Sequence, residues 1–332
     1  MDAADRDVMR SVYWWGIPTF FGCPHEEDPA RCDIALVGVP HSTGNGSTER
    51  DQHLGPRAIR SAACNWRPMH LRFGIDPWKT CRIHDVGDVV MPNFMVSDIA
   101  VREIEGFFRE IDAAGACPLS VGGDHSITLP ILRAIAGDRA RVGRPVAVVH
   151  FDAHYDSFDR MPTWFGVVDS AGHWASKAVH EGLVDPARSL LVGRRGPLSA
   201  WGQTNVSEEL GYRVIHKSDF DDLGVEQTAA AIRERVGDLP IYVSFDLDVL
   251  DPSVAPAVSN LAFGEDGLTM TQATRLLQGL RGLEVIGGDV VCIMPTKDSP
   301  NNITALNAAA ILFELVSLVA DRLGSGGSGA GR

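Results

Sequence analysis

Eight residues, "HFDAHYDS" at 150–157, put two aspartates and two histidines at the end of the apolar run "RPVAVV". Two further stretches have the same character: "GGDHS" at 122–126, with Asp124 and His125, and "SFDLDVLDP" at 244–252, with Asp246, Asp248 and Asp251. In an extended chain, residues two apart point the same way, so the spacing predicts that Asp152, His154 and Asp156 share one side, as do Asp246 and Asp248. Carboxylates and imidazoles gathered on one edge repel unless something positive sits among them, and a divalent cation is the natural occupant. Imidazole mixed with carboxylate suits Mn, Fe, Ni, Co or Zn better than calcium or a structural zinc. Enough carboxylates are present to bridge two ions. Two ions roughly 3.5–4 Å apart share a water of lowered pKa and provide hydroxide at neutral pH, so hydrolysis is the expected chemistry. Taken singly, "DxHxD" is more often a polar loop, "GG" a turn and "DxDxxDP" a capping loop. Their joint occurrence after three apolar runs carries the metal reading.

Those runs must be positioned by something regular. "DIALVGVP" from Asp33, "CPLSVGGDHS" from Cys117, "PVAVVHFDAHYD" from Pro145, "SLLVGRR" from Ser189, "LPIYVSFDLDVLDP" from Leu239 and "LEVIGGDVVCIMP" from Leu283 read as strands. Their near-continuous apolarity is that of strands buried on both faces of a parallel sheet. Helical spacing recurs between them. "VSDIAVREIEGFFREIDAAG" carries a Ser N-cap candidate, and "TMTQATRLLQGLRG" begins with Thr and ends at Gly. The alternation predicts one doubly wound α/β domain over 1–323, followed by a flexible Gly/Ser tail at 324–332. In such a sheet ligands bind beyond the carboxyl ends of the strands, which is where the charged clusters fall.

Composition narrows the partners. A formal net charge of -13 argues against a nucleic-acid groove or an anionic membrane surface. The opening "MDAADRDVMRSVYWWG" has early acids and no signal-like apolar stretch, and no uncharged apolar run reaches membrane-spanning length, so a cytoplasmic protein is expected. Six cysteines (Cys23, Cys32, Cys64, Cys81, Cys117, Cys292) form no CxxC pair and read as reduced thiols, most of them buried.

The three clusters resemble the signatures of the ureohydrolase family of arginases and agmatinases. "YWWGIPTF", "GVP" at 38–40, "LGPRAIR" at 54–60 and "ITALNAAAIL" extend the likeness over almost the whole chain. The resemblance implies a three-layer α/β/α arginase-like fold with a doubly wound, mostly parallel sheet. It implies two divalent ions per chain, usually manganese, with nickel an alternative. His125 and Asp156 would hold one ion and His154 and Asp248 the other, with Asp152 and Asp246 bridging. Asp156 would also hold the attacking hydroxide, and His173 in "SAGHWAS" matches the family's mobile histidine, the candidate proton shuttle to the leaving amine. Asp124 and Asp251 read as groups that fix turns behind the ligands, and His150 as structural. A homo-oligomer, often a hexamer, follows, as does release of urea or a substituted urea and an amine from a guanidine-type substrate.

Two departures concern the substrate. The late strand of arginases and agmatinases typically carries a Glu that pairs with the guanidinium, but here "DVVCIMPTKD" places Cys292 at that position. A thiol cannot give the bidentate, charge-assisted contact of a carboxylate. After "DPSVAP" the family's Gly-Thr-Gly-type segment gives way to "AVSNLAFGEDGLT". An N-substituted guanidine or a biguanide is therefore expected in place of arginine or agmatine. An ordinary agmatinase or guanidinobutyrase, and a non-catalytic or obligate partner subunit of a hetero-oligomer, are the alternatives. Single-zinc deacetylase chemistry is a third reading, against which the retention of His125, Asp152 and Asp246 counts. His41 and His53, on the early loop "PHSTGNGSTERDQHLGP", are expected to be solvated.

Overall fold

The computed structural model describes residues 16–45, 51–63, 67–159, 169–197, 206–262, 264 and 266–327. Among these residues eight strands form one sheet: β1 (Ile34–Val39), β2 (Ile83–Asp88), β3 (Cys117–Gly122), β4 (Ala147–Phe151), β5 (Leu190–Arg194), β6 (Arg213–His216), β7 (Ile241–Asp246) and β8 (Val285–Val291). Their order is β2-β1-β3-β8-β7-β4-β5-β6, with every pairing parallel. Alternate residues feed opposite layers, which is why the strands read as continuous apolar runs. In β1, Ile34 and Leu36 join the apolar cluster on one face, while Ala35, Val37 and Val39 join that on the other.

The helices are α1 (Gly55–Ala63), α2 (Pro77–Thr80), α3 (Ser97–Ala114), α4 (Thr128–Ile135), α5 (Trp174–His180), α6 (Val206–Leu210), α7 (Lys217–Val236), α8 (Met270–Gln278) and α9 (Ile303–Gly327). Helices α3, α4 and α5 cover one face through Ile104, Phe108, Leu132 and Trp174. Helices α1, α7, α8 and α9 cover the other through Ile59, Ile232, Leu276 and Leu315. The three-layer α/β/α arrangement matches the expectation.

Local sequence explains several helix ends. Thr269 caps α8 through a reciprocal box in which its hydroxyl accepts from the Gln272 amide and the Gln272 side chain accepts from the Thr269 amide. Thr269→Ala should cost about 1 kcal/mol of stability, read as a lower urea midpoint. Gly115 ends α3 in the left-handed region at φ +87°, donating to the Asp112 carbonyl. Ser97, expected as the cap of α3, is instead its first residue, and Val96 stands at the cap. The extended backbone at Val96 turns the chain one residue earlier, so Ser97 is already helical.

Other expectations need correction. Strands β2 and β6 were not read from the sequence, because edge strands need only partial burial: β2 reads "IHDVGD" and β6 "RVIH". Helix α9 runs to Gly327, four residues into the stretch read as a tail, with the Ser325 hydroxyl donating to the Asp321 carbonyl; residues 328–332 lie outside the described ones. Over Ile303–Ser325, α9 is long and apolar enough to cross a membrane, although Glu314, Asp321 and Arg322 keep it from being the uncharged run whose absence was expected. It instead packs on the sheet, and its acids are paired: Glu314 with His70 and Gln278, Asp321 with Arg281.

Candidate metal centre

Neighbouring strands β3, β8, β7 and β4 occupy the middle of the sheet, and their carboxyl ends carry the clusters. From β3 comes the turn with Asp124 and His125, from β8 Cys292, from β7 Asp246 and Asp248, and from β4 Asp152, His154 and Asp156. Gly123 lets the first turn close up: at φ +27°, a Cβ there would lie 2.4 Å from the His41 carbonyl oxygen.

His125 is fully buried, and its Nδ1 faces three carboxylates: Asp156 at 3.0 Å, Asp246 at 3.1 Å and Asp152 at 3.2 Å. The second oxygen of Asp152 lies 3.4 Å from His154 Nδ1, which also meets Asp248 at 2.8 Å. Asp152 therefore stands between the two imidazoles, one oxygen toward each. His150 Nε2 lies 2.8 Å from the Asp152 oxygen that faces His125.

Hydrogen-bond bookkeeping fixes the His125 tautomer. Ser244 Oγ donates its one proton to Asp289 at 2.7 Å, so at 2.8 Å from His125 Nε2 it accepts. Asp289, with no accessible surface, also accepts from the hydroxyls of Thr128 and Tyr242 at 2.7 Å each. His125 thus carries hydrogen on Nε2 and aims the Nδ1 lone pair at three carboxylates, none of which makes a hydrogen bond of acceptable geometry with it. A buried lone pair facing buried anions is repulsive until a cation occupies the space between them. The residues present fit a divalent ion.

Where no cation sits there, the same acids draw a proton onto His125 in its place. Burial would lower the His125 pKa, yet Asp152, Asp156 and Asp246 hold it well above the usual imidazole range. Burial, then the charges of Asp248 and Asp152, push Asp246 well above the ordinary carboxylate value. The cluster is short of positive charge.

The extended comb expected from i, i+2 spacing is only part of the geometry. Leu247–Val249 is a 3-10 turn capped by Asp246, whose carboxylate accepts from the Asp248 amide at 2.8 Å. That turn, not strand alternation, swings Asp248 toward His154. Beyond β4 the chain bends, and Asp156 adopts φ +46°, bringing its carboxylate to His125 while His154 faces Asp248.

Asp124 is spent on turns. It accepts from the amides of Gly44 and Asn45 at 2.8 Å and from the Ser126 amide at 3.0 Å. Asp251 likewise accepts from the Ser253 and Gly267 amides, and the Ser253 side chain, then the Gly267 amide, hold its pKa below the usual carboxylate value. His173 is buried in a 3-10 turn, with Nδ1 hydrogen-bonded to Ser170 Oγ. Its turn is tied to the ligand loop, as Ala175 donates to the Asp156 carbonyl at 3.1 Å. The next residue, Trp174, packs its ring 5.1 Å from that of His125.

Cys292 reaches the centre: its sulfur and the ligand atoms of His125 and Asp246 all lie within 4.8 Å of one another. Its backbone is in the left-handed region at φ +73°, held by donation to the Gly123 carbonyl at 2.9 Å and acceptance from Ser259 at 3.2 Å. Burial, then Asp246 and Asp248, raise the thiol pKa far above its ordinary value.

His53 is exposed as expected, but His41 is only 1% exposed. Its carbonyl accepts from the Asp124 amide and its Nε2 meets the Thr43 hydroxyl, so the first turn after β1 folds inward. Sequence reading also passed over Ser244, Asp289 and Arg195, and His150 has a definite part in orienting Asp152. A buried Asp inside the apolar "VIGGDVV" was the one available signal for Asp289.

The arginase family profile matches residues 32–317. Guanidinopropionase from Pseudomonas aeruginosa is 42% identical over 316 residues, covering 95% of each chain. Guanidinobutyrase from the same organism is 37% identical over 307 residues, 92% of each chain. Among solved structures, proclavaminate amidino hydrolase from Streptomyces clavuligerus superposes with a TM-score of 0.84 at 33% identity, covering 93% of this chain and 99% of that one.

Proposed function

Because the chain belongs to the arginase family of C–N hydrolases, we propose that it is a binuclear metal-dependent amidinohydrolase that cuts a C–N bond of an N-substituted guanidine. Asp152 carries the reading, since one carboxylate stands between two imidazoles, each with its own further acids. His125 and Asp156 would hold one ion, His154 and Asp248 the other, with Asp152 and Asp246 shared. Manganese and nickel both suit these donors. When bound, the two ions would neutralise the acids and lower the pKa of a water toward neutrality.

Protein groups do the rest. Asp156 would accept a hydrogen bond from the attacking oxygen, and His173, its Nδ1 engaged by Ser170, would pass a proton from Nε2 to the leaving amine. Cys292 presents a thiol where family members place a carboxylate, which favours a more heavily N-alkylated guanidine or a biguanide over the monoalkylated guanidines arginine and agmatine. A second reading, a guanidino acid, is favoured by the names of the relatives at 42% and 37% identity. A cytoplasmic homo-oligomer belongs to the same proposal.

Amine and urea release from manganese- or nickel-loaded protein tests this across agmatine, 3-guanidinopropionate, 4-guanidinobutyrate, N,N-dimethylguanidine and biguanides. The dialkylated guanidine or a biguanide should exceed agmatine by at least about tenfold in kcat/KM, the equivalent of ~1.4 kcal/mol. Preference for a guanidino acid would select the second reading, and preference for agmatine would sink both. Two bound ions without turnover would make the chain a non-catalytic partner subunit.

A further inference from the structure

We infer that Arg195 is a positioning residue for the ion that Asp248 and His154 would hold, an inference that rests on the binuclear reading above. Arg195 is 3% exposed, and its guanidinium spans three consecutive carbonyls of the turn carrying Asp248. Nη2 donates to Asp248 O at 2.6 Å and Leu250 O at 3.1 Å, and Nη1 to Val249 O at 3.0 Å. Among the described residues the guanidinium's hydrogen-bond partners are all main-chain carbonyls.

The same residue reaches the other ligand loop. Its amide donates to Ala153 O at 3.1 Å, between Asp152 and His154, and the Ala153 amide donates to Asp248 Oδ1 at 3.1 Å. A closed circuit results: Arg195 to Ala153, Ala153 to the Asp248 carboxylate, and the Asp248 carbonyl back to Arg195. It fixes Asp248 at both its main chain and its side chain, relative to the segment that carries His154. Gly193 permits the approach, because at φ +100° a Cβ there would lie 2.3 Å from Val249 Cγ2. The planar fork serves the three carbonyls from two separate nitrogens; a lysine ammonium keeps the charge but gathers its three donors on one nitrogen, without the fan.

Arg195→Lys and Arg195→Gln, prepared ion-free, would be titrated with Mn²⁺ by calorimetry and followed by electron paramagnetic resonance, beside the wild type. Wild type should take up two ions and show a spin-coupled spectrum. Both variants should bind the first ion as wild type does and the second about 10–100-fold more weakly, the usual effect of removing a group that orients a metal ligand. The spectrum of an isolated ion should then persist at one equivalent, and excess Mn²⁺ should restore kcat with KM unchanged. A merely structural arginine would move the urea midpoint without splitting the two affinities. Two ions bound within about threefold of wild-type affinity in either folded variant overturn the inference and leave the binuclear reading standing. A wild type that takes up fewer than two ions overturns the reading, and the inference with it. If Arg195→Gln does not fold, the Lys variant decides.

Discussion

Asp246→Asn should lower kcat/KM by roughly 10²–10⁴-fold and abolish the rise in thermal stability that added Mn²⁺ or Ni²⁺ gives the parent protein. The change is nearly isosteric, and its amide oxygen can still accept from the Asp248 amide as the carboxylate does at 2.8 Å. Lost is the anion whose second oxygen faces His125 Nδ1 at 3.1 Å. Removing one partner from a buried set of charges costs about 3–5 kcal/mol, which at ~1.36 kcal/mol per decade gives the expected range. Ion-free protein should behave in the opposite sense. The Asp246 pKa is raised on folding by burial and by Asp248 and Asp152, so the folded chain holds the ionised form less readily than the unfolded chain does. Above the raised pKa that charge subtracts in full from ion-free stability, and the subtraction fades as pH falls from the raised pKa to the ordinary carboxylate value. The amide should leave the ion-free melting temperature equal to or above that of wild type. Calorimetric scans with and without metal separate the cases, and a variant that melts lower in both would point to a packing role for Asp246.

Asp289→Leu should be the most destabilising of the proposed changes, by about 3–5 kcal/mol in urea unfolding. It would leave the hydroxyls of Ser244, Thr128 and Tyr242 without their acceptor in a fully buried site, and each orphaned donor costs roughly 1–3 kcal/mol before relaxation. A second effect follows from chemistry. Ser244, freed from Asp289, could turn its proton to His125 Nε2, which would move the ring hydrogen to Nδ1 and block the ligand position. Ion affinity should therefore fall by about 10–100-fold. Ser244→Ala isolates the second effect, since it removes the acceptor that selects the tautomer and deletes only one hydroxyl. It should weaken metal binding with a stability loss of no more than about 1.5 kcal/mol. Wild-type ion affinity in Ser244→Ala would show that the tautomer does not depend on this chain.

The residues of the candidate site were legible because their signal is local. Asp152, His154, Asp156, Asp246 and Asp248 each follow an apolar run within a few residues, and a polar cluster at a strand's end needs no knowledge of the strand's neighbours. The six strands read from sequence are the ones whose burial on both faces demands near-continuous apolar residues, as in "IALVGV" and "AVVHF". The edge strands β2 and β6 escaped because a strand with one neighbour can be as polar as "RVIH". His41 was misjudged because its burial depends on Asp124, 83 positions away in sequence.

By itself, the sequence determined the residue types of the candidate site, their places at strand ends and the α/β layering, because periodicity and residue chemistry are properties of short segments. Only tertiary structure decided that β3, β8, β7 and β4 lie side by side, so that clusters up to 123 residues apart, from His125 to Asp248, meet at one point. It alone also decided the left-handed turn at Asp156, the 3-10 turn that swings Asp248 to His154, the Asp289 to Ser244 to His125 chain and the Arg195 clasp. Each of these depends on strand pairing and hydrogen bonds between distant segments, and such partners are chosen by how the sheet closes, not by any local pattern.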